Sequence, residues 1–188
     1  PYLNKILIAQ DLQKIKLEAK EMVSSKFKEY FKAGDTTTGK NRLIYEVANQ
    51  FVMNFLDKEL KEIQEGKEIV VKSLEGEYKA DLETPNGHKI VLKGKIDRVD
   101  EVDGVRRIVD YKTGKVEAKD LKLSDLSLVT KDYKYHKILQ VMTYVLLYTS
   151  TEKFDLDTKE LQTGIYSFKN FKSGFLAMNF SENRYKKE

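Results

Sequence analysis

The sequence predicts a mixed α/β domain. Apolar residues recur at helical spacing over the first third of the chain, the period switches to two from Ile69, and a helical period returns at Tyr133–Tyr148 before a last alternating stretch. The order helix, helix, strands, helix, strand belongs to neither an all-α nor an all-β fold. A length of 188 residues fits a single domain spanning 1–188. A domain of that size buries about 70% of its unfolded surface.

Residues 3–32 read as the first helix, with Ile6, Leu7, Leu12, Ile15, Leu17, Met22 and Phe27 on its apolar positions. Ala33–Gly39 breaks the pattern as a loop. The second helix runs from about Lys40 to Gln64, with Leu43, Val47, Phe51 and Phe55 as its apolar face and Gly66 as its stop. Ile69, Val71, Tyr78, Ala80 and Leu82 suggest strands around a Glu75-Gly76 turn, and Pro85-Asn86-Gly87 marks a further turn. Lys89–Val99 and Val105–Lys112 form the strongest hairpin candidate, because Asp103-Gly104 suits a two-residue turn. Thr113–Thr130 is polar and irregular. Tyr133–Tyr148 reads as the third helix, and Leu161–Phe180 as one or two strands interrupted at Ser173-Gly174.

Composition narrows the chemistry. The chain has no cysteine, which removes disulfides, thiol nucleophiles and cysteine-held metal or iron–sulfur centres. The net charge of +4, from 34 basic and 30 acidic residues, permits a nucleic-acid partner without demanding one. No apolar run approaches membrane-span length and no secretory signal is visible, so no membrane partner and a cytoplasmic location are expected. The start at Pro1, with the first methionine at Met22, suggests a domain excised from a longer protein.

The hairpin carries the chemistry. With Asp103-Gly104 as the turn, opposed residue numbers sum to about 207, which sets Asp97 against Asp110, Val99 against Ile108 and Lys95 against Lys112. Alternation then gives these six residues one face, and Ile96, Arg98, Val109 and Tyr111 the other. Directly opposed side chains stand ~5 Å apart, a separation at which two carboxylates repel unless a cation or proton intervenes. Mg²⁺ accepts one or two carboxylates with several waters, so the pair makes sense as a metal site, with Lys112 beside it to orient a water or neutralise a phosphate. An ordinary surface pair between Asp110 and Lys112 is the alternative.

Three ordered motifs carry a resemblance. Gly94-x-Ile96-Asp97-Arg98, then Ile108-Val109-Asp110-Tyr111-Lys112-Thr113-Gly114, then Gln140-x-x-x-Tyr144 resemble the core of the PD-(D/E)xK nuclease superfamily, and within it the RecB-like branch related to AddB-type helicase–nucleases. The late segment GIYSFKNFKSGF is similar to the region that follows in such domains. The resemblance implies a restriction-endonuclease-like core, a central mixed sheet flanked by helices. It implies that Asp97, Asp110 and the Tyr111 carbonyl bind Mg²⁺ or Mn²⁺, that Lys112 is the catalytic lysine, and that Gln140 and Tyr144 border the site. The branch often places a histidine ligand on the preceding helix. This chain has only His88 and His136, neither on that helix, and Glu46 is the expected substitute; His136 falls one turn before Gln140. Relatives that carry an iron–sulfur cluster use four cysteines, so a cluster-free version is expected.

The resemblance further implies a divalent-metal-dependent deoxyribonuclease that hydrolyses phosphodiester bonds in DNA, more in keeping with an exonuclease than an endonuclease. A helicase domain or subunit would be its partner in DNA repair and recombination. Lys115, Lys119, Lys122, Lys131, Lys134 and Lys137 are candidate phosphate contacts. The alternatives are a catalytically inactive nuclease fold that binds DNA or acts as a scaffold, and a plain interaction domain without metal.

Overall fold

The structure, a computed structural model, describes residues 1–31 and 37–180, in two compact units, Pro1–Ile69 and Val70–Glu188. Most of the loop expected at Ala33–Gly39 lies outside the described residues.

The first unit is a helical hairpin of α1 (Ala9–Tyr30) and α2 (Gly39–Gln64). Phe27 meets the edge of Tyr45 at 5.5 Å between ring centroids, and Lys16 pairs with Asp57, so the two helices run antiparallel. α1 starts six residues later than the periodicity suggests. The Leu7 N–H donates to the Ile69 carbonyl at 2.8 Å, so the apolar run before α1 pairs with extended chain. Asp11 then caps the helix by accepting the Ile8 N–H at 3.2 Å.

The second unit is built on a five-stranded mixed sheet, as a central sheet with flanking helices requires. Its strands are β1 (Ile69–Glu83), β2 (Lys89–Val102), β3 (Val105–Lys112), β5 (Leu161–Ser167) and β6 (Phe175–Ala177), in the order β1-β2-β3-β5-β6. β2 and β3 are antiparallel, β3 and β5 parallel, and β5 and β6 antiparallel. The parallel step needs a crossover. Helix α3 (His136–Glu152) supplies it and lies across β2, β3 and β5. Two short strands, β4 (Lys122–Leu123) and β7 (Asn179–Phe180), pair separately.

β1 corrects the sequence reading. Glu75-Gly76 does not reverse the chain; β1 runs through it as one strand of 15 residues. Glu75 sits in the left-handed region at φ 52°, which kinks a strand as readily as it makes a turn. The Asp103-Gly104 turn is as expected, with φ of 51° and 84° at its two residues, the conformation that matches strand twist in a two-residue hairpin.

Two apolar clusters fasten α3 to the sheet. Ile138 and Val141 pack with Ile165, Leu176 and the Val116–Val129 segment, and Leu147 and Tyr148 pack with Val99, Ile108, Tyr78 and Ile96. Ile96 therefore joins the Val99–Ile108 face rather than the opposite one. Gly94, two residues earlier, approaches α3 so closely that a Cβ would lie 2.6 Å from Leu147 Cδ1. Strict alternation slips between Ile96 and Asp97, at the end of the ladder. Gly164 is still tighter, since a Cβ there would overlap the Leu176 carbonyl across the β5–β6 pair. Gly164→Ala is expected to lose about 2 kcal/mol or more of stability, read as a fall in denaturation midpoint, because backbone cannot yield as a side chain can.

Candidate active site

The β2–β3 ladder runs from Val102↔Val105 to Arg98↔Val109, in the register the turn dictates. It stops one step short of Asp97 and Asp110. There the Asp97 side chain replaces a strand carbonyl: its Oδ2 accepts the Tyr111 N–H at 2.8 Å. The expected pairings of Asp97 with Asp110 and of Lys95 with Lys112 are thus not rungs of the ladder. Lys95 instead pairs with Glu75 of β1 at 2.7 Å. Asp97 and Asp110 nevertheless remain neighbours, because the Asp97 carboxylate is bonded to the amide of Tyr111, the residue that follows Asp110.

Asp110 is 2% exposed. Its Oδ1 accepts from Lys112 Nζ at 3.2 Å and from Gln140 Nε2 at 3.0 Å. Lys112 Nζ also lies 2.9 Å from Oδ2 as an ion pair, and Oδ2 itself makes no hydrogen bond. Burial pushes the Asp110 carboxyl above the ordinary carboxylate range. Lys112 opposes that shift, and Asp97 adds to it. With its folded pKa above the unfolded one, Asp110 costs the metal-free fold stability as pH rises through that window, and the cost disappears below it. Asp110→Asn is therefore expected to melt higher than the parent in chelator at neutral pH. The rise should be about 2–4 °C for each kcal/mol relieved, and differential scanning calorimetry reads it.

Gln140 and Tyr144 project from one face of α3, a turn apart. One amide orientation satisfies every partner of Gln140. Its Oε1 accepts from Lys112 Nζ at 2.9 Å, while Nε2 donates to Asp110 and to the Tyr144 hydroxyl at 2.8 Å. Burial, then the charges of Asp110 and Asp97, hold the Tyr144 hydroxyl above its ordinary pKa, so it stays neutral. Asp97, Asp110, Lys112, Gln140 and Tyr144 form one continuous polar group on the α3 side of the sheet.

The family model of the PD-(D/E)XK nuclease superfamily matches residues 5–183. The chain belongs to this superfamily. Among proteins of curated function, none matches the chain. PD-(D/E)XK nucleases use divalent metals, and the donor set here fits such an ion: two adjacent carboxylates, one carrying a buried oxygen that makes no hydrogen bond.

The other expected members have surroundings of their own. Among the described residues, no three His, Cys, Asp or Glu side chains gather around one point. Glu46 is exposed on α2 in the first unit. His136 is exposed, and its ring is engaged by Tyr133. Of the lysines expected to meet phosphates, Lys115 and Lys119 both pair with Glu117, and Lys134 pairs with Asp132, all as solvated surface pairs.

The hairpin's other face holds a feature that the sequence reading passed over. Asp100 is 0% exposed and accepts from Arg98 Nε at 2.7 Å and from Arg107 Nε and Nη2 at 2.8 Å each. The signal was present, since the turn register opposes Asp100 to Arg107. Arg98 Nη1 also reaches the Tyr111 hydroxyl at 3.5 Å. The Tyr111 ring stacks on Tyr166 and Phe168, residues of the GIYSFKNF segment. Asp97, Asp110 and the Tyr111 backbone are thus braced from behind by charge and aromatic packing.

Proposed function

We propose that residues 1–188 form one RecB-like nuclease domain that hydrolyses phosphodiester bonds in DNA with Mg²⁺ or Mn²⁺. The carrying observation is the buried Asp110 carboxylate, beside Asp97, paired with Lys112, with one oxygen bonded to Lys112 and Gln140 and the other making no hydrogen bond. Asp97, Asp110 and the Tyr111 carbonyl are the ligand set we assign. A bound divalent cation would act as Lewis acid on the phosphate and lower the pKa of water.

The chain's own residues do the rest. Gln140 accepts from Lys112 Nζ and so holds the ammonium at the rim of the carboxylate pair. There Lys112 can orient the attacking water and neutralise charge developing on the phosphate oxygens. Tyr144, neutral and hydrogen-bonded to Gln140, fixes that amide. None of residues 1–188 is a cysteine, so these residues offer no thiolate to an iron–sulfur cluster. Exonucleolytic trimming of DNA delivered by an associated helicase, in repair or recombination in the cytoplasm, is the context that we infer from the RecB-like motifs.

The test is cleavage of linear DNA by the purified chain in Mg²⁺ or Mn²⁺, with Asp110→Ala and Lys112→Ala beside it. Metal-dependent cleavage lost in both variants supports the reading. Cleavage at the same level in all three proteins overturns it. DNA binding without cleavage in any buffer favours the inactive scaffold.

A further inference from the structure

We propose that Ser167 and Asn170 are positioning residues of the active site, which hold Lys112 at the carboxylate pair by fixing the turn that follows it. The proposal rests on the nuclease reading above and adds two residues outside the polar group already described.

Lys112 is the last residue of β3, and its partner on the parallel rung is Ser167, the last residue of β5. The chain leaves β3 through the exposed residues Thr113, Gly114 and Lys115, and returns to the core at Val116, which is 1% exposed. The Ser167 hydroxyl clasps this turn. It donates to the Gly114 carbonyl at 2.8 Å and accepts the Val116 N–H at 2.9 Å. It also accepts the Asn170 N–H at 3.2 Å, so its one O–H and both lone pairs are used. Asn170 closes the other side, where Nδ2 donates to the Val116 carbonyl at 2.9 Å. Phe168, between the two, stacks on the Tyr111 ring with centroids 5.8 Å apart. The stretch 167–170 thus grips the chain on either side of Lys112.

The grip acts on Lys112 because a lysine stem is flexible. Its ammonium reaches Asp110 and Gln140 from a side chain that is 32% exposed, so its place depends on where the backbone sets its base. An exposed turn can satisfy its carbonyls with water in many shapes. A buried hydroxyl with every bond made selects one shape, as fully satisfied polar networks do. A misplacement of about 1 Å at a reacting group can cost ~10²-fold in rate.

Single-turnover cleavage at saturating DNA and Mg²⁺ tests this in the whole chain. Ser167→Ala and Asn170→Ala are each expected to slow cleavage about 10–10²-fold, while affinity for DNA, and for Mn²⁺ by calorimetry, moves by less than about twofold. Placed on Lys112→Ala, the same changes should cost nothing further, since they act through an ammonium that is already gone. An unchanged rate in both variants overturns the proposal. So does a loss that persists in full on Lys112→Ala, which marks a role in folding alone. Asn170 is only half-buried, so Asn170→Ala carries the test if Ser167→Ala melts below the assay temperature. The two readings fail separately. A parent that cuts DNA, beside variants that cut as fast, sinks the clasp alone. A parent that never cuts sinks the nuclease reading, and the clasp is then read from the side-chain amide resonances of Gln140, the partner of Lys112. Resonances that move in Asn170→Ala uphold it, and resonances at the parent's positions overturn it.

Discussion

If Asp110 is the proposed metal ligand, Asp110→Ala is expected to lower the rate of DNA cleavage by at least about 10³-fold, because a cation held there would contribute several kcal/mol of transition-state stabilisation. Lys112→Ala should lose about 10²–10⁴-fold, the range typical of a positioned proton-transfer or charge-stabilising group. The two variants separate in metal binding. Titration calorimetry with Mn²⁺ should show binding lost in Asp110→Ala and Asp97→Ala but kept in Lys112→Ala, since an ammonium is no ligand. The double variant Asp110→Ala with Lys112→Ala should be hardly slower than the worse single one, because groups that act as a unit are not additive. Mn²⁺ binding that survives Asp110→Ala would place the ion elsewhere.

The largest effect on stability is expected behind the site, at Asp100. Two guanidiniums share this single buried carboxylate, at 2.7 Å and 2.8 Å. Burial works against the charged form of Arg107, and Asp100 more than offsets it, so the guanidinium pKa stands above its ordinary value. Removing Asp100 leaves two cations close together in a dry interior. Asp100→Ala should therefore cost about 3–5 kcal/mol, the range for breaking a buried ion pair from one side. For a chain of this length that is a fall in melting temperature of about 6–20 °C. Replacing Arg98, Asp100 and Arg107 together by apolar residues of similar volume should recover much of the loss, since a matched apolar cluster carries no desolvation cost. A wild-type melting curve for Asp100→Ala would mean that water reaches the cluster.

The core of the sheet was legible because its strongest local signal is a turn. Asp103-Gly104 can adopt left-handed backbone at both residues, and that sets the whole β2–β3 register. The polar group was legible in two ways: the turn register brought Asp97, Asp110 and Lys112 to one place, and the resemblance alone brought Gln140 and Tyr144 to them. Glu75-Gly76 misled because a left-handed residue serves a kinked strand and a tight turn equally well. The end of the ladder was hidden because periodicity describes backbone pairing, and here a side chain competes for the Tyr111 N–H. The Asp100 cluster escaped because charges read along a sequence look like solvated surface. Only the opposition of Asp100 and Arg107 across the hairpin shows that they neutralise each other inside.

The bond from the Tyr111 N–H to Asp97 Oδ2 has one more consequence. One carboxylate oxygen takes the backbone amide that the next rung would have used, so the Asp97 side chain is held at the end of the ladder by the chain itself. The amide proton is a built-in gauge: its exchange with solvent should quicken whenever that bond opens, whether or not catalysis is running.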